Sequence, residues 1–508
     1  MKNTKRALAV LLALVMTFAL SVGAMADYEV KAEKKTAADI AANLSGKTVI
    51  LHSNDVHGAL EGYAAIAALK TALKAKGAEV ILADAGDFSQ GTRYVSVSKG
   101  ATAVEMMNAA GYDIATLGSH EFDYGYAQLK ENLSKAKFKT VCCNVLENDK
   151  TICDAAYIYK TQADVKIAFI GITTPETQTK VNPSQIQGIK FLSNANGKTE
   201  FYDCVQNQVY AVEKDADIVI ALAHLGVDDA SATAGYRSAD LLAKVSGIDF
   251  VIDGCSHTAM TEGEKGALIQ STGTKFENIG VIVIDNATKK IESHFLIPTE
   301  GLEKDATVAA VAKKIMDEVD KNDPLDQFND LNKTQWYAEG IRFCLDNGLM
   351  NGMGEGKFEP NGTTTRAQLV AMLYRYVGSP KVENAPQFSD VAAGKWYTDA
   401  IGWAAANKVV NGVGDGKFDP NGTLTREQIA AILYRYVQQQ GKGFVGSWMF
   451  LLNYPDADKV SGYADEAMHW MVMNQLINGV DGKLLPQGNA TRAQVAVILM
   501  RFDAALAK

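Results

Sequence analysis

The 508-residue chain has no tryptophan before residue 330, no run rich in lysine and arginine, few cysteines and only one apolar stretch of near-membrane length. Each scarcity excludes something. With a formal net charge of -9 and no basic run, the electrostatic term that drives nucleic-acid binding is missing, which argues against a nucleic-acid partner. Six cysteines in a chain this long do not make a disulfide framework, and Cys142 and Cys143 are neighbours unsuited to pairing with each other. The expectation for Cys142, Cys143, Cys153, Cys204 and Cys344 is buried or unremarkable thiol. The apolar stretch, Ala7 to Val22, falls short of the ~20 residues that span a bilayer as a helix. Lys2, Lys5 and Arg6 precede it and the small residues Ala24 and Ala26 follow, so residues 1–26 read as a secretory signal peptide cut before Asp27. Removing its three basic residues takes the net charge from -9 to -12. The expected product is secreted, soluble and without a transmembrane segment, and the cleavage region has no cysteine for lipid attachment.

What is present divides the chain near residue 300. Trp336, Trp396, Trp403, Trp448 and Trp470, together with seven of the ten prolines, all lie beyond residue 320. From 47 to 300, after a linker over 27–46, short β-branched runs alternate with amphipathic stretches: Thr48-Val49-Ile50-Leu51, Val80-Ile81-Leu82-Ala83, Ile167-Ala168-Phe169-Ile170, Ile218-Val219-Ile220-Ala221 and Phe250-Val251-Ile252. That pattern predicts an α/β domain on buried strands. Asp305 to Lys321 predicts a helix within a connecting segment, 301–325.

The remainder repeats, in units over 326–380, 385–440 and 450–508. Phe328-Asn329-Asp330 with Trp336-Tyr337 recurs as Phe388-Ser389-Asp390 with Trp396-Tyr397, and more weakly as Tyr454-Pro455-Asp456 with Trp470. Each unit runs through Asn-Gly into a glycine-rich turn, and then Thr365-Arg366, Thr425-Arg426 or Thr491-Arg492 opens an apolar helix. Gln368, Gln428 and Gln494, three residues after each threonine, complete capping boxes, a job that does not need the arginine.

These units resemble S-layer homology repeats. The resemblance implies an all-α domain of three repeats in pseudo-threefold arrangement that binds bacterial secondary cell-wall polysaccharide and holds the protein on the cell envelope. It also implies that Arg366, Arg426 and Arg492, with Asp330, Asp390, Trp336 and Trp396, contribute to glycan binding. An always-charged arginine at a helix start suits a carboxylate or ketal group. The bland alternative is that the arginines are solvated or pair with the repeat aspartates. The third repeat departs most from the pattern.

Five of the seven histidines lie between His52 and His257, which suggests metal. In Asp55-Val56-His57-Gly58, residues two apart after the first strand project to one side and can grip one ion. Asp87 follows the second strand, where a single carboxylate could bridge two metals. Gly118-Ser119-His120-Glu121-Phe122-Asp123, Ala223-His224-Leu225-Gly226 and Gly254-Cys255-Ser256-His257 follow, each at a strand end. The ordered series is far more specific than any one member.

The series resembles the calcineurin-like metallophosphoesterases, in the branch of exported 5'-nucleotidases and cyclic-nucleotide phosphodiesterases. The resemblance implies a four-layer α-β-β-α sandwich with two divalent metal ions (zinc, manganese or iron) at the strand ends, and hydrolysis of a small phosphorylated substrate by metal-activated hydroxide. Carried over by position, Asp55, His57, Asp87 and His257 match the ligands of the first metal, and Asp87, Ser119, His224 and Cys255 those of the second. His120 matches the histidine that contacts phosphate and assists the leaving group, and Asp123 the acid that orients it; His52 matches a structural position. The family pattern has asparagine at Ser119 and histidine at Cys255. Serine is a poor ligand and cysteine thiolate a good one for a soft ion, so the first site is intact and the second altered. Three readings stay open: an enzyme with retuned metal preference, a one-metal enzyme, or a retired catalytic fold.

The nucleoside-binding domain of exported 5'-nucleotidases is missing, since the connecting helix runs directly into the repeats, so nucleotide specificity does not transfer with the resemblance. The expected function is a cell-envelope-anchored metal-dependent phosphoesterase acting on extracellular phosphate esters. The alternative is a structural or adhesive envelope protein with an inactive phosphoesterase domain. A redox role for Cys255 lacks an evident resolving cysteine.

Overall fold

The computed structural model describes residues 31–181, 185–228, 231, 235–383, 387–444 and 450–506. The expected signal peptide of residues 1–26, and Trp448, lie outside the described residues. Among the described residues no helix is long and apolar enough to cross a membrane.

Two six-stranded sheets carry the N-terminal half. The first has the order β15-β14-β1-β2-β3-β4, built from β1 (Lys47–Ser53), β2 (Glu79–Asp84), β3 (Ile114–Ala115), β4 (Lys139–Thr140), β14 (Asn278–Asp285) and β15 (Lys290–Pro298). The second has the order β12-β13-β11-β10-β8-β7, from β7 (Ala156–Lys160), β8 (Lys166–Thr173), β10 (Ile218–His224), β11 (Phe250–Ile252), β12 (Ala259–Met260) and β13 (Ile269–Thr272). A small sheet of β5 (Val145–Glu147), β6 (Lys150–Thr151) and β9 (Ile189–Phe191) sits to one side.

Strand periodicity explains the layering. On β1, Ile50 faces the other sheet and, with Ile81 and Ile282 of its own sheet, packs with Phe169, Ile220, Leu222 and Phe250. Its neighbours Val49 and Leu51 face outward onto the helices Gly62–Ala75, Ala101–Ala110 and Ala306–Lys321. In the second sheet Val219 and Ala221 of β10 pack outward against Glu200–Val212 and Ser238–Lys244. A sheet buried on both faces needs apolar residues at every position, which is why these strands read as continuous β-branched runs. The four layers are α-β-β-α.

β1 runs parallel to β2, and β10 parallel to β8 and β11. Parallel neighbours end on the same edge of their sheet, so the loops after β1, β2, β10 and β11 gather there. The helix that follows β15 starts as the sequence predicts, with the Asp305 side chain accepting from the Thr307 and Val308 amides.

The C-terminal part is a ring of three helix pairs: Ala338–Asp346 with Arg366–Tyr376, Thr398–Ala406 with Arg426–Gln439, and Asp465–Met473 with Arg492–Leu506. The second helix of each pair packs on the first helix of the next, and Arg492–Leu506 closes the ring on Ala338–Asp346. The capping boxes at Thr365, Thr425 and Thr491 are all formed.

The arginines close the ring chemically. Arg366 Nε donates to the Phe418 carbonyl (2.8 Å) and Nη2 to that of Asn411 (3.1 Å). Arg426 reaches Leu484 (2.9 Å) and Asn478 (2.7 Å), and Arg492 reaches Phe358 (2.9 Å) and Asn351 (2.7 Å). Each thus holds the glycine-rich turn of the following repeat, and they are neither solvated nor paired with the repeat aspartates. Those aspartates hold the same turns from within: Asp330 accepts from the Phe358 and Glu359 amides, Asp390 from Phe418 and Asp419, and Asp456 from Leu484 and Leu485. Asp456 shows that the third repeat keeps this part of the pattern.

One match needs correction. Trp470 is only 7% exposed and lies on a helix at the place of the buried Trp403, whereas Trp336 and Trp396 are 61% and 60% exposed. One extra residue in the third repeat shifts the frame, and Tyr463, at 56% exposed, occupies the tryptophan position.

Candidate metal centre

Five of the candidate site residues leave a strand end through a strained turn, whereas His224 is the last residue of β10. Asp55, His57, Asp87, Cys255 and His257 all have positive φ, between 44° and 83°. Left-handed backbone at non-glycine residues is costly and concentrates at functional sites. The turns also come close together: a Cβ on Gly118 would collide with the Asp87 carboxylate.

The geometry forms two clusters. Asp55, His57 and His257 offer ligand atoms within 4.8 Å of one another, as do Asp55, Asp87 and His224. The two Nε2 atoms of His57 and His257 face each other at 3.0 Å. His224 Nε2 lies 3.0 Å from an Asp87 oxygen and 3.9 Å from Asp55. His224 Nδ1 donates to the Ala85 carbonyl at 2.7 Å, which aims the fully buried Nε2 at the carboxylates of Asp87 and Asp55. A backbone bond to one imidazole nitrogen that aims the other is how metal-binding histidines are oriented. The donor set therefore fits divalent cations. The Cys255 side chain bonds with His224, and its amide donates to both oxygens of Asp55, at 2.9 and 3.1 Å.

Beside the clusters, His120 Nδ1 meets Asp123 Oδ2 at 2.6 Å, and the His120 amide donates to Asp87 Oδ1 at 2.9 Å. Burial pulls the His120 pKa down, but Asp123 and Asp87 outweigh it and carry the imidazole up to about 10. Burial holds His57 down at about 3, so it is neutral and able to ligate. His52 is fully buried against Gln270 (3.1 Å), its pKa pushed down to about 4 by burial, in keeping with a structural position.

Two positioning residues were not singled out from the sequence. Buried Glu121 accepts from the amides of Asp87 (2.9 Å), Phe88 (2.9 Å), Ser89 (3.0 Å) and Gly118 (2.6 Å), tying the two turns that carry Asp87 and His120. Asn54 donates to Asp55 Oδ2 (2.7 Å) and accepts from the Thr272 amide (2.8 Å), which orients the carboxylate. The available signal was their place inside strand-end motifs, an acid and an amide next to the ligands.

The calcineurin-like phosphoesterase family matches residues 48–259, and the S-layer homology domain matches 327–370, 387–430 and 453–496. The chain carries a calcineurin-like metallophosphoesterase domain and three S-layer homology repeats. Its phosphoesterase part is similar to a snake venom 5'-nucleotidase of Gloydius brevicauda, 32% identical over 43% of this chain and 38% of that one. It is similar too to a trifunctional nucleotide phosphoesterase protein of Bacillus subtilis, 29% identical over 40% of this chain and 15% of that one. The repeats resemble the surface-layer 125 kDa protein of Lysinibacillus sphaericus, 33% identical over 34% of this chain and 15% of that one. The chain thus spans less than two-fifths of the length of each of these relatives. The N-terminal domain thus belongs with the calcineurin-like phosphoesterases, a divalent-metal-dependent family, and is similar to 5'-nucleotidases.

Proposed function

We propose that the protein is an exported, envelope-anchored phosphoesterase that hydrolyses extracellular phosphate esters. The observation that carries this reading is the aim of His57, His224 and His257 at two points flanked by Asp55 and Asp87, with the His120–Asp123 pair alongside. Two divalent cations would supply Lewis acidity and an activated water. Asp55, His57 and His257 would hold one, and Asp55, Asp87 and His224 the other, with Cys255 and Ser119 at its margin. His120, kept protonated by Asp123, would bind a phosphate oxygen and give its proton to the departing alkoxide. The ring would attach to secondary cell-wall polysaccharide through Trp336, Trp396 and Tyr463, the exposed aromatics at equivalent positions, while the arginines and aspartates shape the grooves between repeats.

The test is elemental analysis of protein purified without chelator, run beside assays with an aryl phosphate and an aryl phosphodiester. Two ions per chain and turnover that vanishes in His120→Ala, with the fold intact, are expected. No turnover with zinc, manganese, cobalt or iron would overturn the reading and leave an anchored protein with an inactive domain.

A further inference from the structure

We propose that the three-repeat ring is the second wall of the catalytic cleft and binds the alcohol portion of a phosphate ester that carries a second anionic group. The inference rests on the phosphoesterase reading above.

A cavity of about 900 Å³ has Ser119, His120 and Asp123 at one side. Its opposite side belongs to the repeats: Arg375 and Tyr376 from the first, Tyr436 and Lys442 from the second, and Asp503 from the third. Those residues sit at or beyond the C-terminal ends of the three helices that open with Thr-Arg, so the ring presents one end of its pseudo-threefold axis to the catalytic residues. Tyr376 and Tyr436 both pack against Phe502, at 6.0 and 6.2 Å between ring centroids, which closes that end with an aromatic cluster.

The ring is held in this pose. Arg93, from the phosphoesterase domain, donates through Nε to Asp346 of the first repeat (2.8 Å) and through its other nitrogens to the carbonyls of Val319 and Asn322 at the end of the connecting helix (3.0 and 3.2 Å). Its side chain and that of Asp346 are largely buried.

The charges in the cleft select the ligand. Of its two carboxylates, Asp123 pairs with His120, and Asp503 accepts from the Tyr376 hydroxyl while burial pushes its pKa up to about 6. Lys180 pairs with Glu176 at 3.4 Å. Arg375 donates to the Leu349 carbonyl (2.9 Å) and Lys442 to the Leu506 carbonyl (2.7 Å), both neutral acceptors, and with Lys99 and Lys180 they set four cationic side chains in the lining against its two carboxylates. This cationic excess, with Arg375 and Lys442 on the ring side of the cleft and His120 on the other, suits a substrate with negative charge at both ends, whose middle lies against the tyrosines.

The experiment is calorimetric titration of the full chain, as purified, with a hexose bisphosphate and a hexose monophosphate, repeated on Lys442→Met and Arg375→Gln. Wild type should bind the bisphosphate at least about tenfold tighter, a difference of about 1.4 kcal/mol. Each variant should lose most of that preference while keeping its affinity for the monophosphate, and Lys442→Arg should keep the preference. Tryptophan fluorescence, which reports only on the ring, checks that each variant is folded. A wild-type ratio near one, a ratio unchanged in both variants, or failure of the bisphosphate to bind would overturn the proposal. An intact ratio without turnover would sink the phosphoesterase reading alone, and turnover with a ratio near one would sink the second wall alone.

Discussion

Replacing Arg426 with alanine tests whether the repeat arginines are staples of the ring. The side chain is almost fully buried, and its two donated bonds end on carbonyls of the third repeat, at 2.9 and 2.7 Å. A bond from a charged donor contributes ~1.5–3 kcal/mol, so losing both costs roughly 3–6 kcal/mol and leaves two carbonyls poorly satisfied. For a unit of this size that lowers the melting temperature by roughly 10 °C. The assay is unusually clean, because every tryptophan lies beyond residue 330, outside the phosphoesterase domain. Emission excited at 295 nm follows ring unfolding, while phosphoesterase turnover or metal content follows the other domain. Arg492→Ala should match Arg426→Ala, and Arg366→Ala, at a more exposed site, should cost less. If Arg426→Ala left the melting temperature within about 2 °C of wild type while binding to purified cell-wall sacculi collapsed, the staple argument would be wrong and the arginine would be a glycan ligand.

Three further outcomes are expected. Glu121→Gln keeps the shape but loses the charge that four amides converge on, and should weaken metal binding by roughly 10–100-fold in a zinc titration without unfolding the domain; unchanged affinity would remove Glu121 as a positioning residue. Trp336→Ala with Trp396→Ala should cut co-sedimentation with sacculi several-fold and leave ring stability within ~0.5 kcal/mol, as for other exposed substitutions; full retention of binding would exclude these faces as the glycan contact. Burial alone would raise the Asp323 pKa, but the hydrogen bonds from Arg342 and the Leu325 amide hold it down at about 2. A depressed carboxylate binds fewer protons folded than unfolded, so its contribution of about 2 kcal/mol is complete above the unfolded value and is lost as pH falls through the folded one. Asp323→Asn should therefore destabilise the ring at pH 7 but be nearly neutral at pH 2, and an equal penalty at both pH values would contradict this.

Much of the molecule could be read from local pattern. Alternating burial along β1 and β10, the cap at Asp305 and the three Thr-to-Gln capping boxes depend on residues within a few positions of one another, and all formed as the sequence implies. The strand-end motifs were legible because glycine, acid and histidine next to a β-branched run have few structural uses. Contacts between distant residues were not legible in this way. Glu121 serves Asp87 across 34 positions, and Arg492 finds its carbonyls 134 and 141 residues back, because a closed ring brings its last helix to its first turn. A single inserted residue hid Tyr463 behind Trp470, since only burial distinguishes a tryptophan inside the ring from an aromatic side chain on its surface. The sequence by itself determined the two architectures and the chemistry of the strand ends. That the ring shares a cavity with His120 and Asp123 and brings Arg375 and Lys442 to it was decided only by the tertiary structure, because docking depends on Arg93 and the shapes of two surfaces that no local pattern encodes.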